Sequence, residues 1–525
     1  MTRSLDNNNT LLNKPDFLTA NQQQLAAITL LAIFLLNSAL YAFLMLRDDL
    51  PLVGLVLLGV LWLVYLIAYR RVSHATPMDM PILGLLILLP LNLFISAAPQ
   101  LTLVRVYHLL LSFSIFFTIV RLVHFRKHIP MLIFSMIALA LGMGVLGLLA
   151  THWSEGILRF LTPIYEALPQ LNSLVPGASI NKNTMGGALT FFPPLLLSLL
   201  WDSKAFQRLT SRYARLKKFP IWLYKLLLLL TFVLVIAVLF LTQSRGAWLG
   251  TAVGLFIFLV WKDKRFLLAI PLGALAVFLL ANEFGLNSLS GVINLLDQGQ
   301  DASLQSRLDI WARVISMIRD FPITGVGLDA LSRVFPVYFN PFLFNEPPAL
   351  LYHAHNSFLS VAIEMGIPAL TLCVALLSSF AAMAWYAWKG ARTINRVLIM
   401  GLVCGMISHQ VFGLMDAYPL GKNLGITMWV YFAVVATLFV HNKQMIRSHP
   451  KQQTEVVASS CKVSIGRITI GLAAWLLLTL LALTPCQMNI YICLIVAVLT
   501  GVLWGIFLTN QIHLFPDPAI ASDLQ

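Results

Sequence analysis

The sequence predicts an all-α, polytopic integral membrane protein, a bundle of about 12–14 transmembrane helices. Of its 525 residues 59% are hydrophobic and only 11% are charged, whereas a soluble domain carries roughly a quarter charged residues. Apolar runs recur from Leu25 to Leu508, and many reach the ~20 residues that cross a hydrocarbon core as a helix. Helices are favoured because lipid cannot satisfy backbone polar groups and the runs do not alternate as barrel strands do.

Basic residues alternate between the loops that join the apolar runs. Lys and Arg gather in every second loop, as in Arg70 and Arg71 or the run 204–218. The positive-inside rule assigns these loops and both termini to the cytoplasm, so the net charge of +14 reports topology and not nucleic-acid binding. The fourteen predicted spans are 25–46, 50–69, 79–97, 101–123, 130–150, 185–201, 220–242, 246–261, 266–282, 356–388, 397–416, 423–440, 466–485 and 488–509.

Three regions follow from this order of spans. Residues 1–24 form a cytoplasmic tail, 25–442 a transmembrane core, and 443–525 a C-terminal extension with two further spans. Two connections in the core, 151–184 and 283–355, are too long to be turns and fall on the outer side. We expect function there, because long ordered loops often carry it.

The second outer loop contains an amphipathic helix by its spacing. Segment 303–320 places apolar residues at helical intervals, which predicts a helix lying on the outer membrane surface. The apolar positions are Leu304, Leu308, Trp311, Ile315 and Ile318.

Two arginines stand on the outer side, where the positive-inside rule makes basic residues scarce. Arg245 ends the seventh span, and Arg307 lies in the first turn of the amphipathic helix. A cation at that position opposes the helix dipole, and an anionic partner would offset the cost. The alternatives are an Arg245 that extends to the interface and an Arg307 on a solvated helix face.

A cluster of polar residues precedes the tenth span. His355 has Tyr352, His353 and Asn356 as neighbours in sequence, and an imidazole can take up or release a proton near neutral pH. The alternative is a polar cap at the end of a span.

Ionisable residues also occur within spans. His409 and Asp416 are seven residues apart, which places them on one side of the eleventh span, and Arg105 precedes His108 by one turn in the fourth. Such groups are functional candidates, although a mutually satisfied pair that holds the bundle together is the alternative.

No metal or disulfide pattern is evident. The five cysteines lie mostly within or beside apolar segments, and the outer acidic residues are dispersed. We therefore expect no zinc site, no disulfide framework, no metal and no cofactor.

Five short elements occur in a fixed order along the middle of the chain. They are Asn181-Lys182-Asn183, Ser244-Arg245-Gly246, Arg307 with Trp311, Pro322 with Gly325 and Gly327, and His355-Asn356 with Gly366. In this order the sequence resembles the O-antigen ligase and O-antigen polymerase superfamily, from about the sixth to the twelfth span. The usual Asn-Pro-Asn is here Asn181-Lys182-Asn183, and Ala369 replaces the usual residue after the last Gly, which leaves the choice within the superfamily open.

The resemblance implies a type C glycosyltransferase-like membrane enzyme. It would transfer glycan from undecaprenyl pyrophosphate to a lipid-linked sugar acceptor, with inversion and without metal, on the periplasmic face of a bacterial inner membrane. Its partners would be these two substrates and membrane lipids, with no nucleic acid. The alternatives are a polymerase, a protein O-oligosaccharyltransferase and a small-anion transporter.

The resemblance also implies roles for the candidate residues. Arg245 and Arg307 would bind the pyrophosphate, and His355 would be the general base. The proposed substrate contacts are Asn356, Tyr352, Asn183, Arg105, His409 and Asp416.

Overall fold

Almost all of the described chain is helical. β structure in that part is limited to a bridge between Thr151 and Ile180, so the predicted all-α fold is confirmed. The computed structural model describes residues 20–46, 52–69, 73–122, 129–153, 162–168, 180–210, 220–272, 304–338, 353–391, 393–416, 424–447, 475 and 489–514.

The helices are numbered in chain order. They are α1 (Ala20–Leu46), α2 (Leu52–Tyr69), α3 (Asp79–Ile95), α4 (Pro99–Leu122), α5 (Ile129–Ala150), α6 (Thr162–Ala167), α7 (Lys182–Leu189), α8 (Phe192–Trp201), α9 (Ser203–Thr210), α10 (Ile221–Leu241), α11 (Arg245–Lys262), α12 (Leu304–Asp320), α13 (Leu331–Tyr338), α14 (Ser357–Gly390), α15 (Thr393–Met415), α16 (Ile426–Arg447) and α17 (Ile490–Leu514).

The polytopic character is confirmed by helix length and composition. Within the described residues, eight helices are long and apolar enough to cross a membrane, and three more are apolar but shorter. They coincide with predicted spans, and α11 occupies the eighth. Most of the ninth and thirteenth predicted spans, 266–282 and 466–485, lies outside the described residues. The division into 1–24, 25–442 and 443–525 stays a prediction.

The amphipathic helix predicted over 303–320 forms as α12. Val314, Met317 and Ile318 are fully buried, whereas Leu308 is 46% exposed. The helix packs against α14. A Leu308 exposed from the rest of the protein is compatible with an apolar face on the membrane surface, and that placement stays a prediction.

The loop after α12 docks on a kink in α14. Gly366 has φ 82° and interrupts that helix. At the kink, Gly327 N donates to Glu364 O at 3.0 Å, and Ile367 N donates to Pro322 O at 2.8 Å. The Pro and Gly-x-Gly element of the sequence motif therefore holds the end of α12 against the first half of α14.

One cysteine departs from the sequence expectation. Cys493, in the first turn of α17, is disulfide-bonded, so the expectation of no disulfide was wrong at this residue.

A glycine face brings α11 close to α15. A Cβ at Gly250 would collide with the Ser408 carbonyl, and one at Gly246 would lie 3.4 Å from Met415 Cβ. Small residues at four-residue intervals let membrane helices approach this closely. The first turn of α11 is thereby placed beside the last turn of α15.

Gly250→Ala is expected to lower the melting temperature in detergent. The added methyl group meets backbone atoms that cannot move aside, and overpacking of this kind costs about 1–3 kcal/mol of unfolding free energy. Gly142→Ala is the matched control, because nothing lies within 4 Å of a Cβ there and Ala favours helix. An equal response of the two variants would contradict the close packing of α11 on α15.

Candidate functional site

A capped turn precedes α14 and carries His355. The Asn356 Oδ1 atom accepts from the backbone N of Phe358 and of Leu359, both at 3.0 Å, which is an N-cap. His355 has φ 49°, a left-handed conformation that is uncommon outside glycine and often found at functional sites. The turn therefore fixes the position of the imidazole at the entrance of the helix.

Asp416 connects two imidazoles. This buried carboxylate directly follows α15, and its Oδ1 lies 3.0 Å from His353 Nε2 and 3.1 Å from His355 Nδ1. A neutral His355 that donates from Nδ1 has its lone pair on Nε2. The arrangement thus fixes one tautomer of His355 and leaves Nε2 as the basic nitrogen, as a carboxylate does for a catalytic histidine in hydrolases.

The two histidines also control the ionisation of Asp416. Burial alone would raise the pKa of Asp416, but the hydrogen bonds and coulombic interactions with His353 and His355 outweigh it and bring that pKa well below its ordinary value. The carboxylate is therefore ionised at neutral pH. Because its pKa is lower in the folded state, its contribution to stability is present above the ordinary Asp pKa and is lost as the pH falls.

Asp416→Asn is expected to reduce the free energy of unfolding by about 1–3 kcal/mol at neutral pH, since the amide oxygen can accept the same hydrogen bonds but lacks the negative charge that strengthens them. The difference from the original protein should shrink below about pH 4, where the unfolded-state carboxyl is protonated. Melting temperatures of both proteins in detergent, from neutral pH to below about pH 4, measure this difference in stability. Asp309→Asn, at an exposed position of α12, is the control. If the stability difference between Asp416→Asn and the original protein did not change with pH, the lowered pKa of Asp416 would be contradicted.

Arg307 is placed beside this turn by its neighbour Trp311. The indole Nε1 of Trp311 donates to Ala354 O at 3.0 Å. Residues four apart in a helix share a face, so Arg307 stands one turn away on the face that meets the His353–His355 segment. Its Nε is buried. The structure therefore brings the helix that carries Arg307 to His355.

Arg245 reaches the same end of the bundle through α11. It is the first residue of that helix, and the following residue, Gly246, packs against Met415, the neighbour of Asp416. The backbone of Arg245 therefore lies at the level of the Asp416 carboxylate.

The Asn-rich element also meets the Ser-Arg-Gly element. Asn181 Oδ1 accepts from Asn183 N at 2.8 Å and caps α7. One turn later, a Cβ at Gly186 would lie 3.0 Å from Ser244 Cβ. Asn183 is therefore at the same end of the bundle as Arg245.

A tyrosine outside the sequence motifs, Tyr165, supports this end of α10. Tyr165 donates to Leu241 O at 2.5 Å and accepts from Gln243 Nε2 at 2.7 Å. Burial raises the pKa of Tyr165, and the Gln243 hydrogen bond opposes the increase. Gln243 has φ 49°, so this contact helps to hold the strained residue two positions before Arg245.

Arg105 and His409 make structural contacts. Arg105 Nη2 pairs with Asp329 at 2.9 Å, which ties α4 to the loop after α12. His409 Nδ1 lies 3.0 Å from Gly187 O, and its ring stacks on Phe191 at 4.0 Å. Their substrate-binding roles, like those of the other candidate residues, stay predictions. Tyr352 lies outside the described residues.

His353, His355 and Asp416 could also hold a metal ion. Their ligand atoms all lie within 4.8 Å of one another, and two imidazoles with one carboxylate suit several divalent transition metals. The same atoms are already at hydrogen-bond distances, so a metal would replace those hydrogen bonds.

Comparison with known families agrees with the motif. Residues 230–374 match the family model described as O-antigen ligase, which confirms the predicted superfamily relationship. Arg245, Arg307 and His355 fall within the matched segment, whereas Asn183 and Asp416 lie outside it. None of the curated proteins searched matches the chain.

Proposed function

We propose that this multi-pass membrane protein of the O-antigen ligase superfamily transfers glycan from undecaprenyl pyrophosphate to a lipid-linked sugar. The family supports a ligase-like or polymerase-like glycosyltransferase activity in general. The observation that carries the finer proposal is the hydrogen bond between Asp416 Oδ1 and His355 Nδ1, because it leaves the other ring nitrogen to act as a base.

The proposed reaction is a single displacement. His355 Nε2 takes the proton from the acceptor hydroxyl as its oxygen attacks the anomeric carbon of the donor. The bond from that carbon to the pyrophosphate oxygen breaks, its electron pair stays on the pyrophosphate, and the configuration inverts. Asp416 stabilises the imidazolium that forms, as the carboxylate of a catalytic triad does.

Arg245 and Arg307 would stabilise the leaving group. A guanidinium remains protonated and offers a planar set of donors suited to phosphate. Negative charge grows on the pyrophosphate as the bond breaks, so cations fixed beside it lower the barrier. Asn183, Tyr352 and Asn356 would contact sugar or phosphate at the same end of the bundle.

Purified protein with lipid-linked donor glycan tests the proposal. Transfer that requires an added acceptor lipid would identify a ligase, and a ladder formed from donor alone would identify a polymerase. Absence of transfer in both reactions, with uptake of a small anion into vesicles that contain the protein, would favour the small-anion transporter. Transfer to a protein acceptor would favour the protein O-oligosaccharyltransferase.

Chelation is expected to leave the transfer rate unchanged. Asp416 already accepts two hydrogen bonds. In the proposed chemistry the arginines stabilise the charge that a metal ion stabilises in other enzymes. The rate is measured before and after dialysis against EDTA, with a metal-free buffer blank as the control. A loss that zinc or manganese restores would identify the His353, His355 and Asp416 cluster as a metal centre.

A further inference from the structure

An apolar groove runs along α14 and α15, and Ala381 and Trp385 in its wall are exposed. It has a volume of about 490 Å³, and its lining includes Leu377, Ala381 and Trp385 from α14 with Val403 and Ile407 from α15. On each helix these positions recur at three or four residues, so one continuous face of each helix forms a wall. Among the lining residues Gln410 is the single polar one.

Aromatic and basic side chains surround one end of this groove. Trp261 and Trp388 have ring centroids 5.8 Å apart, and Trp385 stacks beside Trp388 at 6.1 Å. Lys389 Nζ lies 4.6 Å above the ring of Trp385, and the Arg396 guanidinium lies 5.3 Å from that of Trp388. Both cations are exposed. This is the end that the positive-inside rule assigns to the cytoplasm.

We propose that this groove binds an anionic glycerophospholipid of the inner leaflet, with its phosphate at Lys389 and Arg396 and an acyl chain between α14 and α15. Within a bilayer, hydrocarbon is the material that fills such a groove. Basic sites between membrane helices at the cytoplasmic surface favour anionic headgroups. The tryptophans hold both cations at the depth of the headgroups by cation–π contact.

The dimensions agree with one acyl chain. The continuous lining on α14 runs from Leu377 to Trp388, roughly 16 Å at 1.5 Å per residue, or about half of a hydrocarbon core of about 30 Å. An acyl chain from one leaflet covers about half of that core. The lipid would therefore fill the groove from Trp388 to Leu377.

Lipid binding to the full-length protein in detergent tests this site. The protein is titrated with phosphatidylglycerol or phosphatidylcholine while bound lipid is counted by native mass spectrometry. We expect phosphatidylglycerol to bind more tightly, and the double variant Lys389→Gln/Arg396→Gln to weaken it by about 30-fold, at about 1 kcal/mol for each cation. Lys264→Gln/Arg265→Gln is the control, because these exposed residues lie on the same predicted side.

A second variant tests the groove itself. Ala381→Phe adds a ring to the exposed wall of the groove and should exclude the acyl chain, so that phosphatidylglycerol with brominated chains quenches the tryptophan fluorescence less than in the original protein. Equal binding of the two lipids, a charge variant that responds like its control, or unchanged quenching in Ala381→Phe would each overturn the proposal.

Discussion

His355→Ala is expected to lower the rate of glycan transfer by about 10²–10⁴-fold, the contribution of a general base. The substitution removes the imidazole whose Nδ1 is bound to Asp416. The residue lies outside the helices, so the membrane bundle should assemble as before. Initial rates with fixed donor and acceptor, compared at equal amounts of folded protein, measure the effect.

The left-handed backbone of His355 calls for a second variant. Ala at φ 49° adds strain, whereas Asn tolerates this conformation and cannot act as a base near neutral pH. His355→Asn should therefore be as inactive as His355→Ala and melt closer to the original protein. His152→Ala, at an exposed histidine on the same predicted side, is the control. Full activity of His355→Asn would remove His355 from the mechanism, and partial recovery with added imidazole would support it.

The sequence identified most of the residues that the structure places at one end of the bundle. Apolar runs determine the helices, and the scarcity of outer cations makes Arg245 and Arg307 functional candidates. These signals are local in sequence. The part that could be predicted is therefore the order of elements and the residues that stand at helix ends.

The partners of those residues depend on contacts between distant segments. Helical spacing placed Asp416 on one face with His409, but α15 ends at Met415. Asp416 lies just beyond it and meets His355, which is 61 residues earlier. In the same way helical spacing pairs Arg105 with His108, one turn later, whereas its carboxylate partner is Asp329 in a loop 224 residues away. Periodicity describes one helix and cannot predict which loop packs against its end.

Arg307→Ala is expected to lower kcat by about 10²–10³-fold, the effect of removing one donor that stabilises developing charge. The KM for the donor should rise less than kcat falls, because the proposed contact with the pyrophosphate strengthens as the bond breaks. Trp311 keeps its hydrogen bond to Ala354 O in this variant, so the helix should remain in place. Kinetics over a range of donor concentrations separate the two constants.

Arg307→Lys distinguishes charge from geometry at this position. Lysine keeps the positive charge but lacks the planar pair of donors, so its kcat should fall between those of the original protein and Arg307→Ala. Arg319→Ala is the matched control, because Arg319 is exposed at the other end of the same helix. If Arg307→Ala reduced activity no more than Arg319→Ala, the guanidinium would have no part in releasing the pyrophosphate, and the departing charge would have to be stabilised by Arg245 alone or by residues from other segments.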